Sequence, residues 1–345
     1  MTLALVSGCA GAVLEADERA FLREALPWGL ILFKRNVVDR EQLRALTASF
    51  RDIVGRDDAP VLIDQEGGRV QRMGPPHWDV YPAPSRVESS KAPERAAWLM
   101  GRLIAHDLRE VGVTVDCAPV LDVADPGMHA VIGTRSFSNA PERVAALGRA
   151  VCDGLLAGGV APVLKHIPGH GRARADSHHE LPMVEASFEE LAERDFAPFI
   201  ALRDAPMAMT AHVVYSAIDP TSPATTSPIV VKTILRERIG FEGLILSDDL
   251  SMKALGGPFG QRARAVFAAG VDIALHCNGD LTEAVPVADA SPQLSGAALR
   301  RAEAALARIA GGARPFDVEA ARRELADFFA SESATAGLNS RAASG

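Results

Sequence analysis

Eight short apolar runs recur along the chain in alternation with stretches of helical spacing, and this alternation limits the fold more than any other feature. The runs are Leu3-Ser7, Gly29-Phe33, Val61-Asp64, Val113-Pro119, Pro162-His166, Ala208-Val214, Gly243-Ser247 and Asp272-Cys277. Their continuous apolar character suits parallel strands buried on both faces. Between them, residues 17-26, 40-54, 94-110, 141-158, 260-269 and 296-311 space apolar side chains near the helical period. Ser187-Phe188-Glu189-Glu190 has the form of a capping box opening a further helix. Eight strand-helix units in 345 residues is the count of a single-domain α/β (β/α)8 TIM barrel. The rival is a doubly wound open sheet. That fold expects a G-x-G-x-x-G turn after its first strand, and Gly8-Cys9-Ala10-Gly11 lacks the spacing. The barrel with its C-terminal helices is expected over residues 1-330. Residues 316-330 read as a final surface helix, and the Ser-, Ala- and Gly-rich stretch 331-345 as a disordered tail.

Composition narrows the function. The net charge of -8 comes with no basic block, which argues against nucleic acid as a partner. No apolar run approaches the ~20 residues needed to span a bilayer, and no signal-peptide pattern opens the chain. Cys9, Cys117, Cys152 and Cys277 are scattered without a C-x-x-C pair, as reduced core residues of a cytoplasmic protein would be.

Three inserts break the rhythm, at 73-93, 167-186 and 216-228, and all follow strands. In a barrel this is the face on which active sites are built. The second insert is the most polar. Strand residues deliver Lys165 and His166, a Pro-Gly turn follows, and Asp176, His178 and His179 come after it. Its glycines and the polar run Arg172-Ala175 offer little apolar surface, so the loop is expected to move and close over a ligand. The third strand ends in Asp64, followed by a glycine pair and Arg69 and Arg72. A carboxylate beside planar guanidinium donors suits a polyhydroxylated ligand, and equally a structural Asp-Arg pair beneath a turn. Arg135 and His212 fall near other strand ends. The seventh strand runs into Asp248 and Asp249. Adjacent side chains on an extended chain diverge, so one of the two is expected to face the pocket and the other to support it. Clustered histidines and an Asp also suit zinc, so His166, His170, His178 and His179 leave a metal-dependent hydrolase open. A non-catalytic sugar-binding protein on the same fold is a third reading.

The segments Lys165-His166-Ile167-Pro168-Gly169-His170-Gly171, Asp176-Ser177-His178 and Leu246-Ser247-Asp248-Asp249-Leu250-Ser251-Met252 resemble those of the β-N-acetylglucosaminidases of glycoside hydrolase family 3. So do Asp64-x-Glu66-Gly67-Gly68-Arg69-Val70-Gln71-Arg72, Ile132-Gly133-x-Arg135-Ser136-Phe137 and Leu30-Ile31-Leu32-Phe33-x-Arg35-Asn36. The likeness runs from the second strand to about residue 277. It implies a single-domain bacterial enzyme of cell-wall recycling that removes terminal N-acetylglucosamine from 1,6-anhydro-N-acetylmuramic acid, with or without peptide. It implies Asp248 as nucleophile, His178 as acid/base and Asp176 as its orienting partner. Asp64, Arg72, Arg135, Lys165 and His166 take the sugar-binding positions. Gln65 stands where relatives often have His. No cofactor, resident metal, membrane or obligate protein partner is implied. The chemistry is coherent, since a retaining glycosidase needs a carboxylate nucleophile and a second group that is first acid, then base. Histidine titrates near neutrality and can fill that second role. Phosphorolysis is a close variant, because a neutral histidine repels phosphate less than a carboxylate would.

Overall fold

The computed structural model describes residues 2–175, 177 and 181–330. Asp176, His178 and the stretch 331-345 lie outside the described residues. Among the described residues eight parallel strands close a barrel in sequential order: β1 (Leu3–Gly8), β2 (Pro27–Leu32), β3 (Val61–Ile63), β4 (Val115–Asp116), β5 (Ala161–Ile167), β6 (Met207–Thr210), β7 (Leu244–Asp249) and β8 (Ile273–His276). Each lies within an expected run or overlaps it. Closure is made by β1 against β8, with Leu5 beside Ala274 and Ser7 beside His276.

The outer ring follows the sequence pattern: α1 (Ala16–Ala25), α2 (Arg40–Val54), α3 (Pro93–Glu110), α4 (Pro141–Ala157), the helical segment α5 (188–201), α6 (Val230–Arg238), α7 (Phe259–Ala269) and α8 (Leu281–Ala290). Two more helices follow, α9 (Gly296–Ala307) and α10 (Val318–Phe329). Helix starts carry ordinary signals. Asp39 caps α2 by accepting from the Gln42 N–H, and Asp317 caps α10 by accepting from Ala320. Ser187 and Glu190 form the expected capping box. No helix of the described residues is long and apolar enough to cross a membrane.

Two helices were not legible in advance. α6 is rich in β-branched residues, which favour strands. It is helical because Val230, Val231, Ile234 and Leu235 form one buried face against the core. α8 contains Pro286, which removes one intrahelical donor. Its Asp280 cap and buried Ala284, Val287 and Ala288 hold it nonetheless.

Strand parity separates two cores. Ala4 and Val6, Val163, Leu244 and Leu246, Ile273 and Leu275 point into the lumen. Leu5, Leu164, Ile245 and Ala274 point outward under the helices. Ala302 and Ala305 of α9 join the lumen cluster, so this helix stoppers the barrel at the N-terminal ends of its strands. The lumen is a blind tube open at the other end, where polar residues replace the apolar layers.

The inserts have internal structure. After β3, Gln65–Gly67 and Val70–Gln71 form an antiparallel hairpin, and Pro84–Glu88 a short helix. In the β6–α6 insert, Asp219 accepts from the Thr221 and Ser222 N–H groups and the Thr221 and Ser227 hydroxyls. The start of the β5 insert departs from expectation, because it is pinned. His170, Gly171 and Ala173 are buried, Tyr215 donates to the Gly169 carbonyl at 2.7 Å, and Arg172 bonds Asp195 at 2.7 Å. Within the polar run that suggested mobility, Arg172 is tied down in this way, while Arg174 is exposed.

The rim where β1 meets β8 tests this packing. A Cβ at Gly8 would run into the Cys277 carbonyl, whereas one at Gly11 meets only the Val13 carbonyl at 3.9 Å. Gly8→Ala is expected to cost about 1-3 kcal/mol by forced displacement and to lower Tm, with Gly11→Ala near wild type. Equal Tm values for the two variants would show that the barrel closes less tightly here than described.

Candidate active site

At the C-terminal mouth of the barrel lies a cavity of about 260 Å³. Asp64, Arg72, Arg135, Lys165, His166 and Asp248 all line it, although they come from four separate strand ends. Parity explains the convergence. Asp64 continues the lumen face of Leu62, Lys165 that of Val163, and Asp248 that of Leu246.

Lys165 organises one wall. Its side chain is 2% exposed, and its ammonium lies 2.7 Å from Asp64 Oδ1 and 2.6 Å from Glu66 Oε1. Burial favours the neutral amine, but the two carboxylates outweigh it and hold the group charged, above its ordinary range. Arg135 grips Glu66 through two parallel bonds of 2.8 Å, and Arg72 reaches Asp64 Oδ2 at 2.8 Å. Burial pushes both carboxyls up, and their cationic partners reverse this and hold them below the usual range. Behind this wall Asp116 is buried and accepts from the Gln65 N–H at 3.0 Å, and burial pushes its carboxyl well up, with Lys165 opposing.

The second wall is built on Asp122. This fully buried carboxylate accepts from the backbone N–H of His170 at 2.7 Å and of His166 at 3.2 Å, and meets His166 Nδ1 at 2.8 Å. Burial would raise it, but these histidines hold it down at about 2. An ionised carboxylate only accepts, so His166 carries its proton on Nδ1. His170 packs edge-on to His166 with ring centroids 5.7 Å apart. Burial lowers the His170 imidazole to about 4, with Asp122 opposing.

Asp248 and Asp249 both line the cavity, against the expectation that only one would, but their hydrogen bonds differ. Asp248 Oδ1 accepts from the Asp249 N–H at 2.8 Å. Asp249 turns to β8, accepting from the Cys277 N–H at 3.1 Å and from the Ser251 N–H and hydroxyl. Ser177, between the two positions outside the described residues, is buried and lines the cavity. Gln65 does not reach the cavity. Its amide closes the hairpin by accepting from the Arg72 and Met73 N–H groups and donating to the Met73 carbonyl.

Glu66 and Asp122 were not singled out as site residues from sequence, His170 was considered only as a metal ligand, and Arg69 also lines the mouth. Glu66 lies two residues past Asp64, a spacing that returns to the same face of an extended chain. The four cysteines are free and buried as expected.

A polar, blind mouth at the C-terminal ends of eight parallel strands is the site of a (β/α)8 barrel enzyme. Comparison with known proteins makes the class particular. Residues 3–310 match the family described as Glycosyl hydrolase family 3 N terminal domain. The chain is 44% identical over 292 residues to a β-hexosaminidase of Methylococcus capsulatus, covering 82% of this chain and 86% of that protein. A β-hexosaminidase of Bordetella pertussis is 39% identical over 283 residues, covering 79% of this chain and 80% of the other. Among solved structures, NagZ from Neisseria gonorrhoeae in complex with N-trifluoroacetyl-D-glucosamine superposes with a TM-score of 0.79 at 34% identity, over 95% of this chain and 98% of that one. The chain belongs to glycosyl hydrolase family 3, among its β-hexosaminidases.

The buried His170 generates a pH dependence of stability. The unfolded chain protonates this imidazole near 6.5, the folded protein only near 4. Between those values the unfolded state binds more protons, so stability falls as pH falls through that window. The loss is on the order of 3 kcal/mol for a shift of this size. Asp122, depressed from 3.8 to about 2, adds a further loss only below its unfolded value. Urea unfolding at pH 7 and pH 4.5 is expected to show the fall in wild type and a flatter response in His170→Gln. The same slope in both would remove His170 as its source.

Proposed function

We propose that this enzyme is a retaining exo-β-N-acetylglucosaminidase. Its substrate would be N-acetylglucosamine linked to 1,6-anhydro-N-acetylmuramic acid, with or without peptide, released in the cytoplasm during cell-wall recycling. The observation that carries this reading is the Asp248 carboxylate in a blind cavity opposite the Asp64–Lys165–Glu66–Arg135 cluster. The cavity is smaller than the ~300–1,000 Å³ typical of sites for drug-sized ligands, which suits one sugar unit entering by its chain end. Charged groups around it supply hydrogen bonds to sugar hydroxyls that are stronger than neutral ones. Asp248 attacks the anomeric carbon and forms a glycosyl ester while the aglycone oxygen leaves. His178 gives that oxygen a proton, then takes one from the incoming water, with Asp176 fixing its tautomer and stabilising the imidazolium. Asp64, Arg72, Arg135, Lys165 and His166 hold the sugar.

The nucleophile assignment is tested by trapping. A 5-fluoro glycosyl fluoride that keeps the 2-acetamido group is expected to label Asp248, and peptide mapping reads the site. Asp248→Asn removes the attacking charge and should lower kcat by roughly three powers of ten or more, with Asp249→Asn costing less. Label on another residue sinks the assignment. Aryl β-N-acetylglucosaminide should be turned over far faster than the aryl β-glucoside, and equal rates would remove the acetamido requirement.

The acid role of His178 has a separate signature. Poor leaving groups such as an amino sugar need protonation, and activated aryl groups need little. In single-turnover glycosylation His178→Ala should slow the natural substrate much more than the activated one, and Asp176→Ala should be a milder copy. Equal slowing of both substrates would make the loop a binding element only.

A further inference from the structure

Asp248 is held from behind by three residues with no place in the mechanism above. Thr210, at the end of β6, takes the Asp248 N–H on its hydroxyl at 3.3 Å. Its Oγ1 lies 2.8 Å from Thr225 Oγ1, and Thr225 Oγ1 lies 2.7 Å from His212 Nδ1. His212 Nε2 then meets the Asp249 carbonyl at 3.0 Å. Thr210, His212 and Thr225 are each fully buried. The contacts form a closed ring that leaves the main chain at Asp248 N and returns to it at Asp249 O. Within it sits the 248–249 peptide, whose N–H anchors Asp248 Oδ1 at 2.8 Å.

The proton directions follow from the partners. A carbonyl only accepts, so His212 Nε2 carries hydrogen. In the tautomer with hydrogen on Nε2 alone, Nδ1 accepts, and Thr225 donates a hydrogen bond to it. Thr225 Oγ1 can in turn accept from Thr210, which accepts from Asp248. The hydrogen bonds run one way around the ring, the arrangement in which neighbours reinforce each other. The Ala211 carbonyl, 3.0 Å from Thr225 Oγ1, is the competing acceptor, so the hydroxyl has two buried groups to serve. An unpartnered group in such a place is costly.

We infer that Thr210, Thr225 and His212 are positioning residues for the Asp248 carboxylate. They set the plane of the 248–249 peptide, and the peptide sets the carboxylate. The β6–α6 insert, knotted by Asp219, is then the element that delivers Thr225 beneath the neighbouring strand. This rests on the reading of Asp248 as nucleophile. A tilt in the attacking group should fall on the bond-forming step and leave sugar affinity alone.

The experiment measures the rate at which the 5-fluoro N-acetylglucosaminyl fluoride labels Asp248, beside the dissociation constant of N-acetylglucosamine. Wild type is mapped first. Label elsewhere than Asp248 defeats the nucleophile reading, and this inference with it. With Asp248 labelled, Thr225→Val should slow labelling by about 10- to 100-fold, the cost of a small misplacement of a reacting group. Sugar affinity should stay within about twofold, because contacts uniform to ground and transition state are kept. Thr225→Ser keeps the hydroxyl and should restore the rate, and His212→Gln, which can still donate to the Asp249 carbonyl, should fall less than His212→Phe. If Thr225→Val does not fold, Thr210→Val reads the same ring from its other end and must also slow labelling. Unchanged labelling in a folded valine variant, a loss confined to sugar affinity, or a serine variant no better than valine overturns the inference.

Discussion

The buried ammonium of Lys165 is the constraint around which the mouth of this barrel is arranged. A charge 2% exposed survives only with partners at contact distance. Asp64 and Glu66 supply them, and each is then committed. Asp64 must also hold Arg72, and Glu66 must also hold Arg135. Five groups from three separate segments are thereby locked in one geometry. Such fixed polarity is what an enzyme needs around a reacting sugar, where donors and acceptors should be in place before the substrate arrives. The same logic makes the wall intolerant of single changes, since removing one partner strands another in a dry place.

Much of this was readable from residue order. A strand has a period of two, so an apolar run that ends in a polar residue declares which way that residue points. Leu62 to Asp64, Val163 to Lys165 and Leu246 to Asp248 are three instances, and the lumen collects all three. The resemblance to a known family then suggested the roles proposed for these positions. What stayed hidden was made by contacts between distant loops. Asp122 reaches residues 44 and 48 positions onward, and no local pattern announces that a loop carboxylate will take two backbone N–H groups. His212 looked like one more polar residue at a strand end until Thr225 came back beneath it. α6 was missed because its β-branched residues argue locally for a strand, and only its buried face decides otherwise.

A histidine loop that read as a loose flap begins as a rigid one. Gly171 has no room for a side chain against the Val123 backbone, and Tyr215 and Asp195 fasten its neighbours. Ala173 is buried as well, so the fastening reaches that far along the loop.

The last described helix has a consequence for how the pocket is held. Arg322 of α10 bonds Asp79, 243 residues earlier, and approaches Asp107 at 3.8 Å. Asp107 takes the Tyr81 hydroxyl, Gln71 takes the Tyr81 N–H, and Gly68 donates to the Tyr81 carbonyl. Those residues carry the hairpin that presents Glu66 and Arg72. The pocket's first wall is thus braced by a helix 243 residues further along the chain. α10 lines no part of the cavity, yet through Asp107 and Tyr81 it bears on the hairpin that does.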